Sequence, residues 1–505
     1  MPPRRLVIFL VLSLSVASLG QDASSPAQAI KAALRARDFT QALELAGAAL
    51  KQSPKDATLW MLQGVSQAGL GKNKEALISF HKALSISPDN LPALEGAVQL
   101  EYQSDSAHAI PHLNRILQQL PNDLTVHAML GVASYKQHDC ANAVRHFEQS
   151  RQLISSQPSA LAEYGSCLMD LDRAQDAAGI FQQLVNQFPD NSHARFALAS
   201  AQLGARQGKE AVETLQPLLE TKEPEPDVLA LASSAYEEQG DTPKAVQLLR
   251  QAIVANPKKI KYYLDFATLS FNHQSFDVGV DMVNVGLKQL PDASPLYVAR
   301  GVLFVQMAKY EEAEADFHTA TRLNPRESSG AIAQGLAQIQ QSNLDQALAT
   351  ANSQIKLHPR EAFLYYLKAQ ILVQKGAASS TPEFKAAVVA ATKATQLDPE
   401  FVLPRDILGN LYLKSGQLDQ AIAQCRIALR LNPSDQESLY HLIQALRQSG
   451  KASKTEMADL VKRLADLRRE SREQEGIVNQ YKLQVVEPNE NKESSENDKE
   501  STQPQ

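Results

Sequence analysis

Histidines offer the first possibility of site chemistry in this sequence of 505 residues. His108 and His112 are four positions apart, which places two imidazoles on one face of a helix and could suit a metal ion. Pro111 fits a helix only in its first turn, and no third ligand is evident beside the pair. A surface or loop role is therefore favoured for these histidines, and no metal or other cofactor is expected.

Motifs of other catalytic sites are missing or incomplete. The sequence contains neither the His-Glu-x-x-His pattern of metalloproteases nor the Gly-x4-Gly-Lys-Ser/Thr loop that holds nucleotide phosphates. Gly69–Lys72 lacks the flanking strand that a dinucleotide site needs, and Gly64–Ala68 is one glycine short of a serine nucleophile elbow. The expectation is a protein that is not an enzyme.

The composition indicates a folded chain and gives no reason to expect nucleic acid as a partner. Hydrophobic residues make up 44% of the sequence and charged residues 21%, which is ordinary for a globular protein. The formal charge of −6 contrasts with nucleic-acid binders, which usually carry a basic face. Three cysteines are too few for a disulfide-rich scaffold.

Residues 1–20 have the composition of a secretory signal peptide. Arg4 and Arg5 precede the apolar run Leu6–Val16, and small residues then lead to the polar Gln21. The run is shorter than the roughly 20 residues of a membrane-spanning helix, although an uncleaved N-terminal anchor is the alternative. The mature chain is expected outside the cytoplasm, periplasmic or extracellular, with no stable membrane span.

A repeat of about 34 residues runs through most of the sequence. A small residue recurs at this interval, and a proline follows twelve positions after most of these small residues. The small residues are Ala42, Ala76, Ala109, Ala143, Ala177, Ala211, Ala245, Ala313, Ala347, Ala387 and Ala421, with Gly279 in the single gap. The prolines are Pro54, Pro88, Pro121, Pro189, Pro257, Pro291, Pro325, Pro359, Pro399 and Pro433.

Each repeat predicts two helices, A and B, joined by a short turn and followed by a proline-marked loop. A second small residue lies twelve positions before the alanine, for example Gly64 before Ala76, and the apolar residues between follow helical spacing. Gly71, Gly240 and Gly416 fall where helix A ends and a left-handed cap is needed. Small residues on both helices allow a close crossing, and the helix pairs must stack because one pair cannot bury its apolar face alone.

These residues resemble the tetratricopeptide repeat (TPR) family. Residues 57–90 carry Trp60, Gly64, Ala76, Phe80, Ala83 and Pro88 in the order of the family pattern, and residues 294–327 carry Tyr297, Gly301, Phe304, Ala313, Phe317, Ala320 and Pro325. The resemblance covers about residues 23–435, as an array of about twelve repeats. It implies an all-α fold, a right-handed α-solenoid superhelix of stacked helix-turn-helix repeats whose A helices line a concave groove.

The array has two irregular repeats and a different C-terminal segment. The third repeat lacks one residue, and the eleventh has six extra near Lys375–Pro382. Residues 436–486 predict C-terminal capping helices, the longer of which is charged except for the stripe Met457, Leu460, Leu464 and Leu467. A short dimerising coiled coil is the alternative. Residues 487–505 are acidic and without apolar residues, and we expect them to be disordered.

The cysteines can be placed within this repeat. Cys425 occupies the helix B position that holds Phe80 or Phe317 in other repeats, which predicts a buried thiol that packs as a small hydrophobe. Cys140 and Cys167 lie at unlike positions of adjacent repeats. A disulfide between them is possible in an exported protein, although its geometry is demanding.

Groove positions become apolar in the second half of the array. The candidate groove contacts are Leu264, Phe271, Val298, Val302, Ile332, Leu336, Phe363 and Tyr366. A few such residues in a row could hold an amphipathic helix or an extended apolar peptide, whereas the alternative is that neighbouring helices cover them as part of the core. The carboxylate clamp of some family members is not supported, because only Asn410 stands at a matching position and no lysine accompanies it.

The expected function is therefore binding. The leading hypothesis is a non-enzymatic scaffold outside the cytoplasm that binds a protein or peptide partner, of unknown identity, in the concave groove. The alternative is a structural or accessory subunit of a cell-envelope assembly, for example for secretion, pili or polysaccharide export. The sequence leaves the oligomeric state open.

Overall fold

The structure, a computed structural model, describes residues 25–376, 378–379 and 381–478. These residues form helices, turns and loops and include no β-strand, so the all-α fold predicted from the repeat is confirmed. The signal segment at 1–20 and the acidic tail at 487–505 lie outside the described residues. The described residues fall into two compact units, one that ends at Thr221 and one that begins at Lys222.

Helices A and B alternate along both units, except that a short helix, α9, follows the B helix α8 before the next A helix. The helices of the first unit are α1 (Pro26–Arg35), α2 (Phe39–Gln52), α3 (Ala57–Gly69), α4 (Asn73–Ile86), α5 (Leu91–Ser104), α6 (Ser106–Gln119), α7 (Leu124–Lys136), α8 (Cys140–Gln149), α9 (Arg151–Ile154), α10 (Pro158–Asp170), α11 (Ala174–Gln187), α12 (Ser192–Gly204) and α13 (Gly208–Leu219). Those of the second unit are α14 (Pro226–Glu238), α15 (Thr242–Ala255), α16 (Ile260–Asn272), α17 (Phe276–Gln289), α18 (Ser294–Gln306), α19 (Tyr310–Leu323), α20 (Ser329–Gln340), α21 (Leu344–Leu357), α22 (Ala362–Gln374), α23 (Pro382–Leu397), α24 (Val402–Lys414), α25 (Leu418–Leu431), α26 (Gln436–Ser449) and α27 (Lys454–Val478).

Helices within each unit stack in sequence order. Each helix packs against the next, and the A helices also pack against one another, as α3 does with α5 in the first unit. In the second unit α16, α18, α20, α22 and α24 form such a row. This arrangement lets each helix pair bury its apolar face against its neighbours, as an α-solenoid requires.

Left-handed residues recur at the turns from helix A to helix B. Gly71, Gly240 and Gly416 have φ angles of 73°, 80° and 72°, which confirms the predicted caps. Non-glycine residues adopt the same conformation at the equivalent turns, namely Arg37, His138, Asp172, Arg206, Gln274, Ala308 and Ser342. The next N–H then bonds to the carbonyl five positions back, as from Lys72 to Gln67, and closes the helix end.

The third repeat omits this turn residue. Helix α5 ends at Ser104 and α6 begins at Ser106, so Asp105 alone joins them, with a φ of −156°. The Asp105 N–H donates to the Glu101 carbonyl, and the Asp105 carboxylate accepts from the Ala107 N–H. The missing residue noted in the sequence is therefore the left-handed residue of the turn.

Proline carbonyls between the repeats receive hydrogen bonds from the next A helix. Each preceding B helix ends before the proline, because proline disfavours helical backbone at the residue before it. The donor lies six residues after the proline: Trp60 to Pro54 at 2.8 Å, Tyr263 to Pro257 at 2.9 Å, Tyr297 to Pro291 at 3.0 Å and Tyr365 to Pro359 at 3.1 Å. These large side chains therefore satisfy a backbone acceptor in addition to filling space.

Small residues lie at the contact between the two helices of a repeat. The recurring helix B alanines are buried. A Cβ atom added at Gly64 would lie 2.7 Å from Phe80 Cε1, and one at Gly131 would lie 2.7 Å from Phe147 Cδ1. The helix A glycine in these two repeats therefore makes room for an aromatic ring of its own helix B.

Helix α27 packs against the end of the array. Leu464 is buried with Leu439 and Ile443 of α26, and the rest of the predicted stripe, Met457, Leu460 and Leu467, is half-buried against them. Lys462, Arg463 and Arg468 on its other faces are exposed. Within the described part of the chain, no helix has the length and apolarity to cross a membrane.

Candidate functional site

The eight candidate groove residues lie on four successive A helices of the second unit. Leu264 and Phe271 are on α16, Val298 and Val302 on α18, Ile332 and Leu336 on α20, and Phe363 and Tyr366 on α22. Because these helices pack side by side, the eight residues occupy one row of helices. Phe271 is 40% exposed and Leu336 38% exposed, and the other six are half-buried.

Three of these residues meet at a cavity of about 240 Å³ between α16 and α18. Leu264, Phe271 and Val302 line it, together with Ala267, Thr268, Ala299 and Leu303. Thr268 donates its hydroxyl proton to the Leu264 carbonyl at 3.0 Å, within its own helix. The cavity is smaller than the roughly 300 Å³ at which small-molecule sites begin, so its size and lining suit one or two apolar side chains.

A second group is aromatic. Phe363 and Tyr366 contact each other with ring centroids 5.2 Å apart, and both contact Phe401 just before α24, at 5.7 and 5.3 Å. Burial, and to a lesser degree the charge of Asp406, raises the pKa of Tyr366. The sequence reasoning missed Phe401, although an aromatic residue beside Pro399, at the start of an A helix, was a usable signal.

The remaining candidates are not among the residues that line the cavity. Val298 packs with Val302 against the buried cluster that contains Val305 and Phe317, so both valines also contribute to the core. Ile332 and Leu336 lie on α20, between the cavity and the aromatic group. The row of A helices therefore offers two separated apolar contact points rather than one continuous pocket.

The first unit presents polar groups on its A helices. The Lys136 Nζ atom lies 5.9 Å from the centre of the Tyr102 ring, and the Tyr102 hydroxyl donates to the Met129 carbonyl at 3.4 Å. Burial raises the pKa of Glu163 to about 7, although the nearby charge of Lys136 opposes the shift. Glu163 was not singled out from the sequence, because nothing in its local pattern marks a buried carboxyl group.

His108 and His112 do not act as a pair. His108 is exposed, with Nδ1 3.2 Å from Asp105 Oδ2, so the expected surface role holds for it. His112 is largely buried instead, with Nδ1 2.8 Å from Glu101 Oε2, and His81 approaches the same carboxylate from α4. Burial raises the pKa of Glu101, but the hydrogen bonds from His112 and His81 outweigh it, and the net pKa is lowered.

The structure joins Cys140 and Cys167 in a disulfide, with Cα atoms 4.9 Å apart. The unlike repeat positions of the two residues had argued against pairing, but the start of a B helix, α8, lies against the next A helix, α10. Cys425 is buried, as predicted, and a Cβ atom at Gly409 would lie 2.6 Å from its sulfur. Burial is the main reason that the pKa of Cys425 is raised to about 12.

Family comparisons agree with the helical repeat. Residues 35–161 match the family described as the cytochrome c-type biogenesis protein H TPR domain. Residues 168–235, 228–258, 298–362 and 408–454 match tetratricopeptide repeats, and all the matches together cover well over half of the chain. The chain belongs to the tetratricopeptide repeat family. The number of repeats stays a prediction.

This TPR protein is similar to two curated proteins over about half of its length. It is 24% identical over 292 residues to the CTR9 homolog of Arabidopsis thaliana, which covers 55% of this chain and 26% of that protein. It is 22% identical over 259 residues to human anaphase-promoting complex subunit 7, which covers 51% of this chain and 46% of that protein. The match thus spans less than half of either relative.

Solved structures that match this chain include yeast Tom70 and a tetratricopeptide repeat protein from Parabacteroides merdae. Tom70 has a TM-score of 0.44 and 16% identity, covering 90% of this chain and 93% of its own. The Parabacteroides protein has a TM-score of 0.38 and 17% identity, covering 57% of this chain and 98% of its own.

Proposed function

We propose that this TPR protein is an exported, non-enzymatic scaffold whose second unit binds apolar side chains of a protein or peptide partner. The family supports a role in protein interaction. The observation that carries the binding site is the cavity of about 240 Å³ lined by Leu264, Phe271 and Val302. Apolar anchors spaced along a peptide are the usual ligands of such a surface between helices.

The apolar groups on α16 to α22 favour a peptide with more than one anchor. One anchor would fill the cavity between α16 and α18, and another would contact the Phe363, Tyr366 and Phe401 rings. Leu336, which is partly exposed between them, would contact the intervening residues of the peptide. A peptide bound in this way would use the whole row of apolar residues on the A helices as its binding surface.

Selection of displayed peptides against the full chain tests this surface. We expect selected peptides to carry two or more large apolar residues. They should bind the Phe271→Glu and Leu336→Glu variants at least about tenfold more weakly than the wild type, because each change places a charge on the contact surface. Both side chains are partly exposed, so the substitutions leave the helix pairs able to stack.

The matched control is Val254→Glu. Val254 lies on the B helix α15 of the same unit and is 81% exposed, so the same charge is introduced away from the A helices. We expect it to bind selected peptides like the wild type. Equal binding by the wild type, Phe271→Glu and Leu336→Glu would exclude the proposed surface.

Export is supported by two observations. Residues 1–20 have signal-peptide composition, and a disulfide such as that between Cys140 and Cys167 is typical of proteins in oxidising compartments. Expression of the full sequence in a bacterial host, followed by cell fractionation and intact-mass measurement, tests the proposal. We expect the chain outside the cytoplasm and shortened to begin near Gln21. A full-length chain in the cytoplasmic fraction would contradict export.

A subunit role in a cell-envelope assembly is the second candidate. It is favoured by the match of residues 35–161 to a domain named for cytochrome c-type biogenesis, and by the similarity to a subunit of the anaphase-promoting complex. Native mass measurement of complexes purified from the source organism separates the two roles. A subunit would co-purify at a fixed stoichiometry, whereas a scaffold for peptides would exchange its partners.

A further inference from the structure

We infer that His81, Glu101 and His112 form a binding site for a divalent transition metal ion on the first unit. His81 Nε2 lies 2.8 Å from Glu101 Oε1, and His112 Nδ1 lies 2.8 Å from Glu101 Oε2. The three residues each offer one ligand atom, and these atoms all lie within 4.8 Å of one another. The three side chains thus form one cluster, with one histidine on each oxygen of the Glu101 carboxylate.

Three consecutive helices hold this cluster. His81 is on α4, Glu101 is near the end of α5, and His112 is on α6. Helix α5 packs against both α4 and α6, which places the carboxylate of the A helix between imidazoles from two B helices. Ligands on three packed helices are held more rigidly than ligands on a loop, which favours a defined geometry.

The ligand set selects the chemical class of the ion. Two imidazole nitrogens and one carboxylate oxygen suit Zn²⁺ and related transition metals, whereas Mg²⁺ and Ca²⁺ prefer oxygen ligands alone. Metal bonds of about 2.0–2.1 Å in tetrahedral geometry separate neighbouring ligand atoms by about 3.3 Å. The present hydrogen-bonded distances of 2.8 Å would therefore lengthen by about half an ångström as the ion enters.

The three side chains differ in exposure, and the most exposed one leaves a route by which an ion can reach the cluster. Glu101 is 7% exposed and His112 19% exposed, whereas His81 is 48% exposed. An ion can therefore enter from the His81 side, and water can complete its coordination there. Each histidine must present an unprotonated nitrogen to the ion. A neutral ring therefore carries its proton on the nitrogen that does not bind the ion. A charged ring must first release one proton to solvent.

Zinc titration of the full, tag-free chain against a competing chelator tests the site. We expect one tightly bound Zn²⁺ per chain in the wild type. His81→Ala and Glu101→Gln each remove a ligand and should weaken that binding at least about tenfold, since even partners outside the coordination sphere change affinity by this amount. His81→Ala alters a half-exposed side chain, so the helices around it should still fold.

The matched control is His108→Ala. His108 is on the same helix as His112, one turn earlier, but is exposed and paired with Asp105. We expect this variant to bind Zn²⁺ like the wild type. Thermal unfolding gives a second measurement, because an ion that binds only the folded state should raise Tm more in the wild type and in His108→Ala than in His81→Ala at the same Zn²⁺ concentration.

Two results would overturn the inference. One is equal Zn²⁺ affinity in the wild type and His81→Ala, which would place any bound ion elsewhere. The other is absence of a tightly bound ion from the wild type, with Tm unchanged by Zn²⁺. In either case the cluster would serve only as a hydrogen-bonded contact between α4, α5 and α6.

Discussion

A Cβ atom added at Gly165 of α10 would lie 2.6 Å from Cζ of the Phe181 ring in α11. Real Cβ atoms do not approach a ring so closely, so the glycine and the phenylalanine are required together. The same relationship joins Gly301 to Phe317, where the distance would be 2.5 Å. In these two repeats the close packing of helix A on helix B therefore places a flat ring against a bare backbone.

Gly165→Ala should destabilise the protein by about 1–3 kcal/mol in urea unfolding, because the methyl group displaces the Phe181 ring. The control is Gly179→Ala in the adjacent helix α11, where an added Cβ atom meets nothing within 4 Å. This control should be stabilised by about 0.5–1 kcal/mol, since alanine favours a helix interior. A change of the same sign and similar size in both variants would show that the ring contact does not control stability at Gly165.

The sequence was sufficient to predict the alternation of helices, because the period of apolar and small residues is a local property. It did not predict left-handed turns at His138 or Ala308, because only glycine marks that conformation in a sequence. At these two residues the geometry of the repeat imposes it. The grouping of His81, Glu101 and His112 could not be predicted either. These residues come from three helices, and their meeting depends on how the pairs stack.

Ala308→Gly should stabilise the protein by about 0.5–1 kcal/mol. Ala308 has a φ of 56° at the turn between α18 and α19, a conformation that costs a side-chain-bearing residue about 1–2 kcal/mol and glycine very little. Ala315→Gly in the exposed interior of α19 is the control and should cost about 1 kcal/mol. Urea unfolding measures both, and a loss of stability in Ala308→Gly would contradict the prediction.

Reduction of the bond between Cys140 and Cys167 should lower the free energy of unfolding by about 2–4 kcal/mol. The bond closes a loop with a sequence separation of 27, and opening it restores conformational freedom to the unfolded chain. Alkylation of the denatured, unreduced protein should modify one cysteine, Cys425, and reduction should make all three available.

The control is a variant with Cys140→Ser and Cys167→Ser. Its stability should be lower than that of the wild type in the absence of reductant and should not change when reductant is added. Three cysteines alkylated without reduction, or a wild-type protein indifferent to reductant, would contradict the bond.

A buried histidine pair predicts a dependence of stability on pH. His127 and His146 face each other with their Nδ1 atoms 3.0 Å apart, and His127 Nε2 lies 3.0 Å from the Pro121 carbonyl. The carbonyl can only accept, so neutral His127 donates from Nε2 and accepts from His146 at Nδ1. Burial, followed by the charges of Arg145 and His127, lowers the pKa of His146 to about 4.

The direction follows from proton linkage. An unfolded histidine binds a proton below a pH of about 6.5, whereas folded His146 stays neutral until about pH 4, so acid favours the unfolded chain. The stability contributed by neutral His146 is complete above about pH 6.5 and is lost as the pH falls toward 4. His146→Gln keeps a hydrogen-bond donor without this titration and should gain about 1–2 kcal/mol relative to the wild type over that range.

Glu163 provides the opposite case in the same unit. Its pKa is raised to about 7 by burial, so its contribution to stability is complete below the unfolded value of about 4.5 and is lost as the pH rises through 7. Glu163→Gln should therefore gain stability relative to the wild type as the pH rises, whereas His146→Gln gains as the pH falls. Urea unfolding between pH 4.5 and 7.5 measures both differences, with the exposed His193 replaced by Gln as the control. If the free energy of unfolding of both variants changed with pH as that of the wild type does, the shifted pKa values of His146 and Glu163 would be contradicted.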